Sequence, residues 1–233
     1  MYIIRRIFRC ITFAIIFFFV SSVTAVVVLK WLPVYYTPLM FIRAAEQMAD
    51  GRTPKIEHQW VSLSKVSENM PLAVISSEDT HFLKHHGFDF KEIYKARLNA
   101  LEGGKERGAS TISQQTAKNV FLWPGHSWIR KGFEAYFTVL IEWIWGKERI
   151  MEVYLNSVEM GDGIYGVKAV AQLNFDKNPD QLTKRDAALI AATLPNPLKR
   201  DSKNPTGELL MRRTRIVQEM NYIKHVPFGI PPQ

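Results

Sequence analysis

Residues 108–119 read Gly-Ala-Ser-Thr-Ile-Ser-Gln-Gln-Thr-Ala-Lys-Asn. An amphipathic helix repeats apolar residues every three to four positions. Here Ser110, Thr111, Ser113, Gln114, Gln115, Thr116, Lys118 and Asn119 leave only Ile112 and Ala117 for a core. Neutral donors closed by one cation suit an extended, oxygen-rich, anionic ligand. The bland alternative is a solvated helix, which would more often carry Glu and Lys. A second dense stretch, Glu78 to Asp89, sets two adjacent acids and three histidines (His81, His85, His86) ahead of Gly87. His81 and His85 stand four apart, which raises a zinc reading. A zinc-hydrolase helix wants Glu directly after the first His, and Phe82 occupies that place. Orientation of Glu78 by hydrogen bonds from the histidine side, or simple packing, is the stronger expectation.

Other matches carry little. Gly161-Asp162-Gly163-Ile164-Tyr165-Gly166 fits the dinucleotide fingerprint, but a helical pattern precedes it where that fingerprint needs a strand. Ser62-Leu63-Ser64-Lys65 and Ser67-Glu68-Asn69 imitate penicillin-type serine boxes. They almost touch, no Lys-Thr-Gly follows, and no room remains for a transpeptidase domain.

The elements that must hold these segments are mostly helical. Leu39 to Ala49 reads as a helix, and Asp50 to Gln59 as a polar loop. Asp89 with Glu92 predicts a capping box before a helix whose face is Phe90, Ile93, Tyr94, Leu98 and Leu101. Thr111 with Gln114 predicts a second box, so the polar run opens a helix. Trp128–Trp145, Lys147–Val158, the Ala- and Leu-rich run capped by Thr183 and Asp186 and stopped by Pro195, and Thr206–Lys224 complete the series. Little strand alternation and no internal repeat appear, so the expected class is mainly α.

The first thirty residues differ from the rest. The run from Cys10 to Leu29 carries no charge, and at about 1.5 Å per residue such a helix spans roughly 30 Å, a bilayer's hydrocarbon thickness. A cleaved secretory signal with Val23-Thr24-Ala25 as its site is the rival, but signal cores are shorter. Arg5, Arg6 and Arg9 before the run predict a cytoplasmic N-terminus. The expected organisation is a basic N-terminus over 1–9, a transmembrane helix over 10–30, a membrane-proximal connector over 31–60 and a catalytic domain over 61–233. Trp31, Tyr35 and Tyr36 would form an interfacial belt. Arg5, Arg6, Arg9 and Lys30 supply half of the net charge of +8. The remainder is too mildly basic for a nucleic-acid binder and suits a body resting on anionic lipid. Cys10, the single cysteine, excludes an intrachain disulfide or a cysteine-based zinc site.

Taken together, Glu78-Asp79-x-x-Phe82-x-x-His85-x-Gly87 and Gly108-x-Ser110-Thr111-Ile112-x-Gln114-Gln115-x-x-Lys118-Asn119 resemble the first two motifs of the peptidoglycan glycosyltransferases of the class A penicillin-binding protein type. Arg130-Lys131-x-x-Glu134 is similar to the third motif. Lys147-x-x-Ile150-Met151-Glu152-x-Tyr154-Leu155-Asn156 is similar to the fourth, with Met151 where Leu is usual. Gly163-x-x-Gly166-x-x-x-Val170-Ala171 is similar to the fifth, with Val170 in place of Ala. Five motifs in order cover about residues 70–200. With one anchor and no transpeptidase domain, the chain most resembles the monofunctional biosynthetic peptidoglycan glycosyltransferases.

That resemblance implies a lysozyme-like helical domain with a small membrane-proximal lobe on the periplasmic face of a bacterial inner membrane. It implies extension of a glycan strand from lipid II. The strand, still on undecaprenyl diphosphate, is the donor, and the lipid II 4-hydroxyl attacks its anomeric carbon with inversion. Glu78 would be the base, with Asp79 tuning it as a neighbouring like charge. Glu134 would be the second acid, near the donor phosphates, or merely an ion-pair partner of Arg130 and Lys131. Lys118 would hold the diphosphate, with Ser110, Thr111, Gln114, Gln115, Asn119, Arg130 and Lys131 around it and Phe82 in the binding region. Glu152, Tyr154, Asn156 and the Gly163–Gly166 turn would shape the cleft.

No organic cofactor is implied; Mg or Mn can assist at the diphosphate. Implied partners are lipid II, the nascent strand, membrane lipid and other wall-synthesis proteins, with no nucleic acid. Where the family commonly carries an arginine eight residues before Glu134, this chain has His126. Either Arg130 takes over, or the donor subsite weakens as pH rises past about 6.5. Two rivals remain: a lytic glycan-cleaving enzyme of lysozyme-like fold, which leaves Lys118 unexplained, and a non-catalytic anchored scaffold.

Overall fold

The uncharged N-terminal run folds as part of one long helix, α1 (Tyr2–Leu29), in a computed structural model that describes residues 2–104, 108–125, 127–223 and 228. Its side chains are exposed nearly all round, and only Ser22 and Val26 are buried. Those two mark the stripe that meets the helical body. Helix α2 (Pro38–Ala49) follows, capped by Thr37, and then a two-residue strand β1 (Glu57–His58). Next come α3 (Asn69–Glu78), α4 (Phe90–Leu101), α5 (Ile112–Phe121), α6 (Trp128–Ile144) and α7 (Lys147–Ser157). A hairpin of β2 (Glu159–Gly161) and β3 (Ile164–Tyr165) precedes α8 (Gly166–Phe175), α9 (Lys184–Thr193) and α10 (Gly207–Met220). The mainly α class holds, and the domain is a lysozyme-like helical fold.

The core is built around α9. Every residue from Ala187 to Thr193 is buried, because small alanines let α3 and α10, which also touch each other, pack close to it. Helix α7 buries Ile150 through Ser157 except Glu152. Its Asn156 side chain accepts from Val61 N–H and donates to Val61 C=O, each at 2.8 Å, and Glu152 accepts from Leu63 N–H at 3.0 Å. The fourth motif therefore clips the start of the domain, just after the connector, to the body.

The sheet, absent from the sequence reading, has the order β1-β3-β2, with β1 parallel and β2 antiparallel to β3. Two glycines make it possible. Gly163 (φ 69°) and Gly166 (φ 79°) adopt a backbone conformation that L-side chains rarely take, and a Cβ on either would lie 2.6–2.7 Å from a backbone oxygen of Lys55 or Asn156. The apparent dinucleotide fingerprint is this hairpin's packing requirement.

Helix α1 is docked onto α6. Phe18 stacks near Phe133 and Tyr136, Ser22 Oγ lies 2.8 Å from the Tyr136 hydroxyl, and the Trp145 indole donates to Val26 C=O at 2.7 Å. These contacts advance together along both chains, so α1 and α6 run in the same direction. Arg149 on α7 donates to Leu29 C=O at 2.9 Å and also to Leu32 C=O, satisfying carbonyls that the helix end leaves open.

Candidate functional site

Glu78 is the last residue of α3, and Asp79 breaks the helix with φ −160° and ψ 78°. Asp79 then turns away from its neighbour. Its carboxylate meets His85 Nε2 at 3.0–3.1 Å and accepts from Ile112 N–H at 3.0 Å. Ile112 opens α5, so Asp79 satisfies a helix N-terminus where negative charge is favourable. The Thr111–Gln114 capping box forms as expected at the same end. These bonds fix α5 against the end of α3.

Helix α5 then reaches back to Glu78. The Gln115 amide donates to Glu78 Oε2 at 3.2 Å, and the Tyr154 hydroxyl donates to Gln115 Oε1 at 3.1 Å. An ionised carboxylate only accepts, so the amide N–H must face it and the hydroxyl must donate. Burial, then the charges of Glu78 and Asp79, push the Tyr154 phenol pKa well up, which keeps that hydroxyl protonated. Ser77 Oγ donates to Glu78 Oε1 at 3.1 Å. Burial raises the Glu78 pKa, opposed by Gln115, Ser77, Arg212 and Arg200. The like charge of Asp79 is not what raises it, contrary to the sequence expectation. The histidines do not orient it either: His85 binds Asp79, and His81 binds Asp89 at 2.6 Å.

One helical turn beyond Gln115, about 4.5 Å along the axis, stands Lys118. It forms no ion pair or hydrogen bond among the described residues. Burial lowers its pKa, Arg130 and Lys131 reinforce that, and Glu134 and Glu78 oppose it. Lys118 lines a cleft of about 650 Å³ with Ser110, Gln114, Gln115, Asn119, Arg130, Lys131 and Glu134. Buried Glu134 accepts from Arg130 Nη1 at 2.6 Å and also pairs with Lys131. Of the four described cations in the cleft lining, Arg130 and Lys131 share Glu134 and Arg43 pairs with Glu46 and Glu159, so Lys118 is the one without a paired carboxylate.

Several expected site residues lie elsewhere. Phe82 is wholly buried, edge-on to Phe228 and beneath the Lys147 ammonium, so it packs and does not line the cleft. Thr111 is buried as the α5 cap, donating to Gly87 C=O at 2.6 Å, and is not a cleft residue. His126 lies outside the described residues. The sequence reading missed Arg212 and Arg200 near Glu78, and Arg43, which crosses from α2 to pair with Glu159 at 3.3 Å in the cleft wall. Arg212 left a signal: it sits between Leu209 and Ile216, on the buried stripe of α10. Among the described residues no three His, Cys, Asp or Glu side chains gather as a metal set. Glu134 and Glu159 are both held by cations, so the cleft does not fit a resident metal ion.

A buried carboxylate bonded to Gln115, one helical turn before an unpaired cation on the same helix as Gln115, is an arrangement suited to group transfer onto a hydroxyl with an anionic leaving group. The family model for transglycosylase matches residues 45–221. The chain belongs to the transglycosylase family. It is a glycosyltransferase. A biosynthetic peptidoglycan transglycosylase of Bacteroides thetaiotaomicron is 54% identical over 96% of this chain and 90% of its own length. Like-named proteins of Caulobacter vibrioides (48%; 91% of this chain, 90% of that protein) and Pseudomonas aeruginosa (43%; 93% and 94%) are also similar.

Proposed function

We propose that this transglycosylase polymerises lipid II into peptidoglycan strands. The observation that carries the proposal is Glu78 tied through Gln115 to the helix bearing Lys118 one turn away. The lipid II 4-hydroxyl oxygen attacks C1 of the strand's terminal sugar while its proton passes to the Glu78 carboxylate. The C1–O bond to undecaprenyl diphosphate breaks, and the electron pair leaves with the diphosphate. Lys118 receives that charge, and the Ser110, Gln114 and Asn119 side chains border it. Arg130 and Lys131 hold Glu134 and extend the cationic wall. A glycan-cleaving enzyme has no diphosphate to bind and gives the unmatched Lys118 nothing to do.

Membrane placement follows from α1. Arg5, Arg6 and Arg9 favour a cytoplasmic N-terminus, leaving the catalytic body on the periplasmic side of the inner membrane. Helix α6 runs beside the outer half of α1 and exposes Trp128, Ile129, Val139 and Trp143. Those exposed side chains support a reading in which the diphosphate side of the cleft faces the bilayer surface, where a lipid-linked donor resides.

Purified full-length protein given lipid II in detergent tests the reading. Wild type should make long strands, and Glu78→Gln should lose about 10²–10⁴-fold in rate. Because burial raises the Glu78 pKa, activity should fall with acidification at a pH above the ordinary carboxylate value. Digestion of finished wall without polymer would refute the proposal.

A further inference from the structure

Glu78 takes both of its close hydrogen bonds from neutral donors, Gln115 and Ser77. The nearest guanidinium stands one hydroxyl further out. Arg212 Nη2 donates to Ser77 Oγ at 3.2 Å and lies 3.9 Å from Glu78 Oε1. Arg212 belongs to α10, whose buried stripe is Leu209, Ile216 and Met220. Its side chain is 35% exposed, and its Nε is buried with no hydrogen-bond partner. Placing a guanidinium there has a desolvation cost, which lowers its own pKa. A salt bridge to a neighbouring surface acid would not require that position.

We propose that Arg212, acting through the Ser77 hydroxyl, is the positioning residue that keeps Glu78 ionised and aimed for proton abstraction. The inference rests on Glu78 being the base. The guanidinium polarises Ser77, so the hydroxyl proton is held toward Glu78 Oε1, and the carboxylate keeps its charge despite burial. A direct bidentate pair would do this too strongly: it would occupy both oxygens and depress basicity. The intervening hydroxyl leaves Oε1 and Oε2 each with lone pairs for the incoming substrate hydroxyl.

The other groups facing Glu78 do not replace Arg212. From α5 come the Gln115 amide and the more distant Lys118; from α7 comes the neutral Tyr154 hydroxyl. Asp79 is turned to His85 and Ile112. Arg200 donates to Ala192 C=O at 3.3 Å and contributes less than Arg212.

The test is the pH profile of kcat for lipid II polymerisation by full-length protein. Arg212→Gln should move the acid limb upward by about one pH unit or more, since one unit charge near 4 Å has about that effect even in bulk water. The loss should reach about ten-fold below the limb and vanish on the alkaline plateau, with KM changed less than about two-fold. Arg212→Lys should keep the limb near wild type. Ser77→Ala, which removes the intervening hydroxyl and leaves the guanidinium charge in place, should move it in the same direction by less. A uniform loss at every pH, with the limb unmoved in both Arg212→Gln and Ser77→Ala, would reduce Arg212 to a structural tie and overturn the inference. Wild type failing to polymerise lipid II would instead overturn the proposed function.

Discussion

Helices α4 and α5 are neighbours in the chain and opposites in their surroundings. Helix α4 buries no residue: Phe90 is 75% exposed, Tyr94 64% and Leu101 76%. Helix α5 buries seven of its ten residues, and Ser113, Gln114, Thr116 and Asn119 are among them. An apolar stripe gains free energy only when another surface meets it, and α4 has none within the described chain. Polar side chains tolerate burial when each finds a partner. In α5, Ser113 donates to Glu142 at 2.5 Å, Thr116 donates to Ile112 C=O at 2.8 Å, and Gln114 accepts from Thr111 N–H at 3.1 Å. Burial in this molecule follows bonding opportunity as much as hydropathy. The helix that lines the proposed diphosphate site is the one whose buried Ser113, Gln114 and Thr116 are bonded in place.

The largest effect that sharpens this contrast belongs to Lys118, the α5 cation without a partner among the described residues. Lys118→Met should lower kcat/KM for lipid II at least about 100-fold, since a preorganised cation at the leaving group is lost. Stability should hold or rise. Burial depresses the Lys118 pKa in the folded state, so below the unfolded value the unfolded chain binds more protons and folding carries a cost that the neutral side chain removes. Parallel rate and thermal-melting measurements check both. A variant that is active, or inactive only because it melts early, would make Lys118 an ordinary structural residue.

A smaller effect separates the two helix caps. Thr111→Ala should cost about 2 kcal/mol: about 1 for the cap, and about as much again for leaving the buried Gly87 carbonyl without its donor. Asp89→Ala removes a side-chain cap from α4, with bonds to Lys91 and Glu92 N–H at 3.0 Å, together with the half-exposed His81 pair at 2.6 Å. Fraying of a helix that packs on nothing should cost the whole protein under about 1 kcal/mol. Denaturant midpoints for the two variants should therefore differ clearly. Equal costs would mean that α4 is coupled to the core after all.

How much was visible beforehand follows the same line. The Thr111–Gln114 and Thr183–Asp186 boxes were legible because capping is local and encoded within four residues. At Asp89 only half of the expected box forms, since Glu92 pairs with Lys95 at 2.7 Å instead. The strands were not legible: two or three residues cannot show alternation, and β1 finds its partner more than a hundred positions away. Glu78 and Lys118 were named by resemblance, and their link through Gln115 and Tyr154 needed the fold. Phe82 was misplaced because an apolar residue inside a motif can serve packing as readily as substrate. Arg212 was passed over as one charge in a basic helix, although its place on the inner stripe was there to read.

The smallest expected effect tests the other pole of the comparison. Replacing Phe90 and Leu101 together by Ser should change stability in detergent by less than about 0.5 kcal/mol, because neither side chain leaves a cavity or an orphaned bond behind. Buried aromatic or leucine truncations cost about 2–5 kcal/mol by comparison. The serine pair also lowers helix propensity slightly, which sets the size of the residual cost. A loss above about 1 kcal/mol would mean that the α4 face is covered in the folded protein. The contrast with α5 would then be one between two kinds of partner, and not between a partnered helix and a bare one.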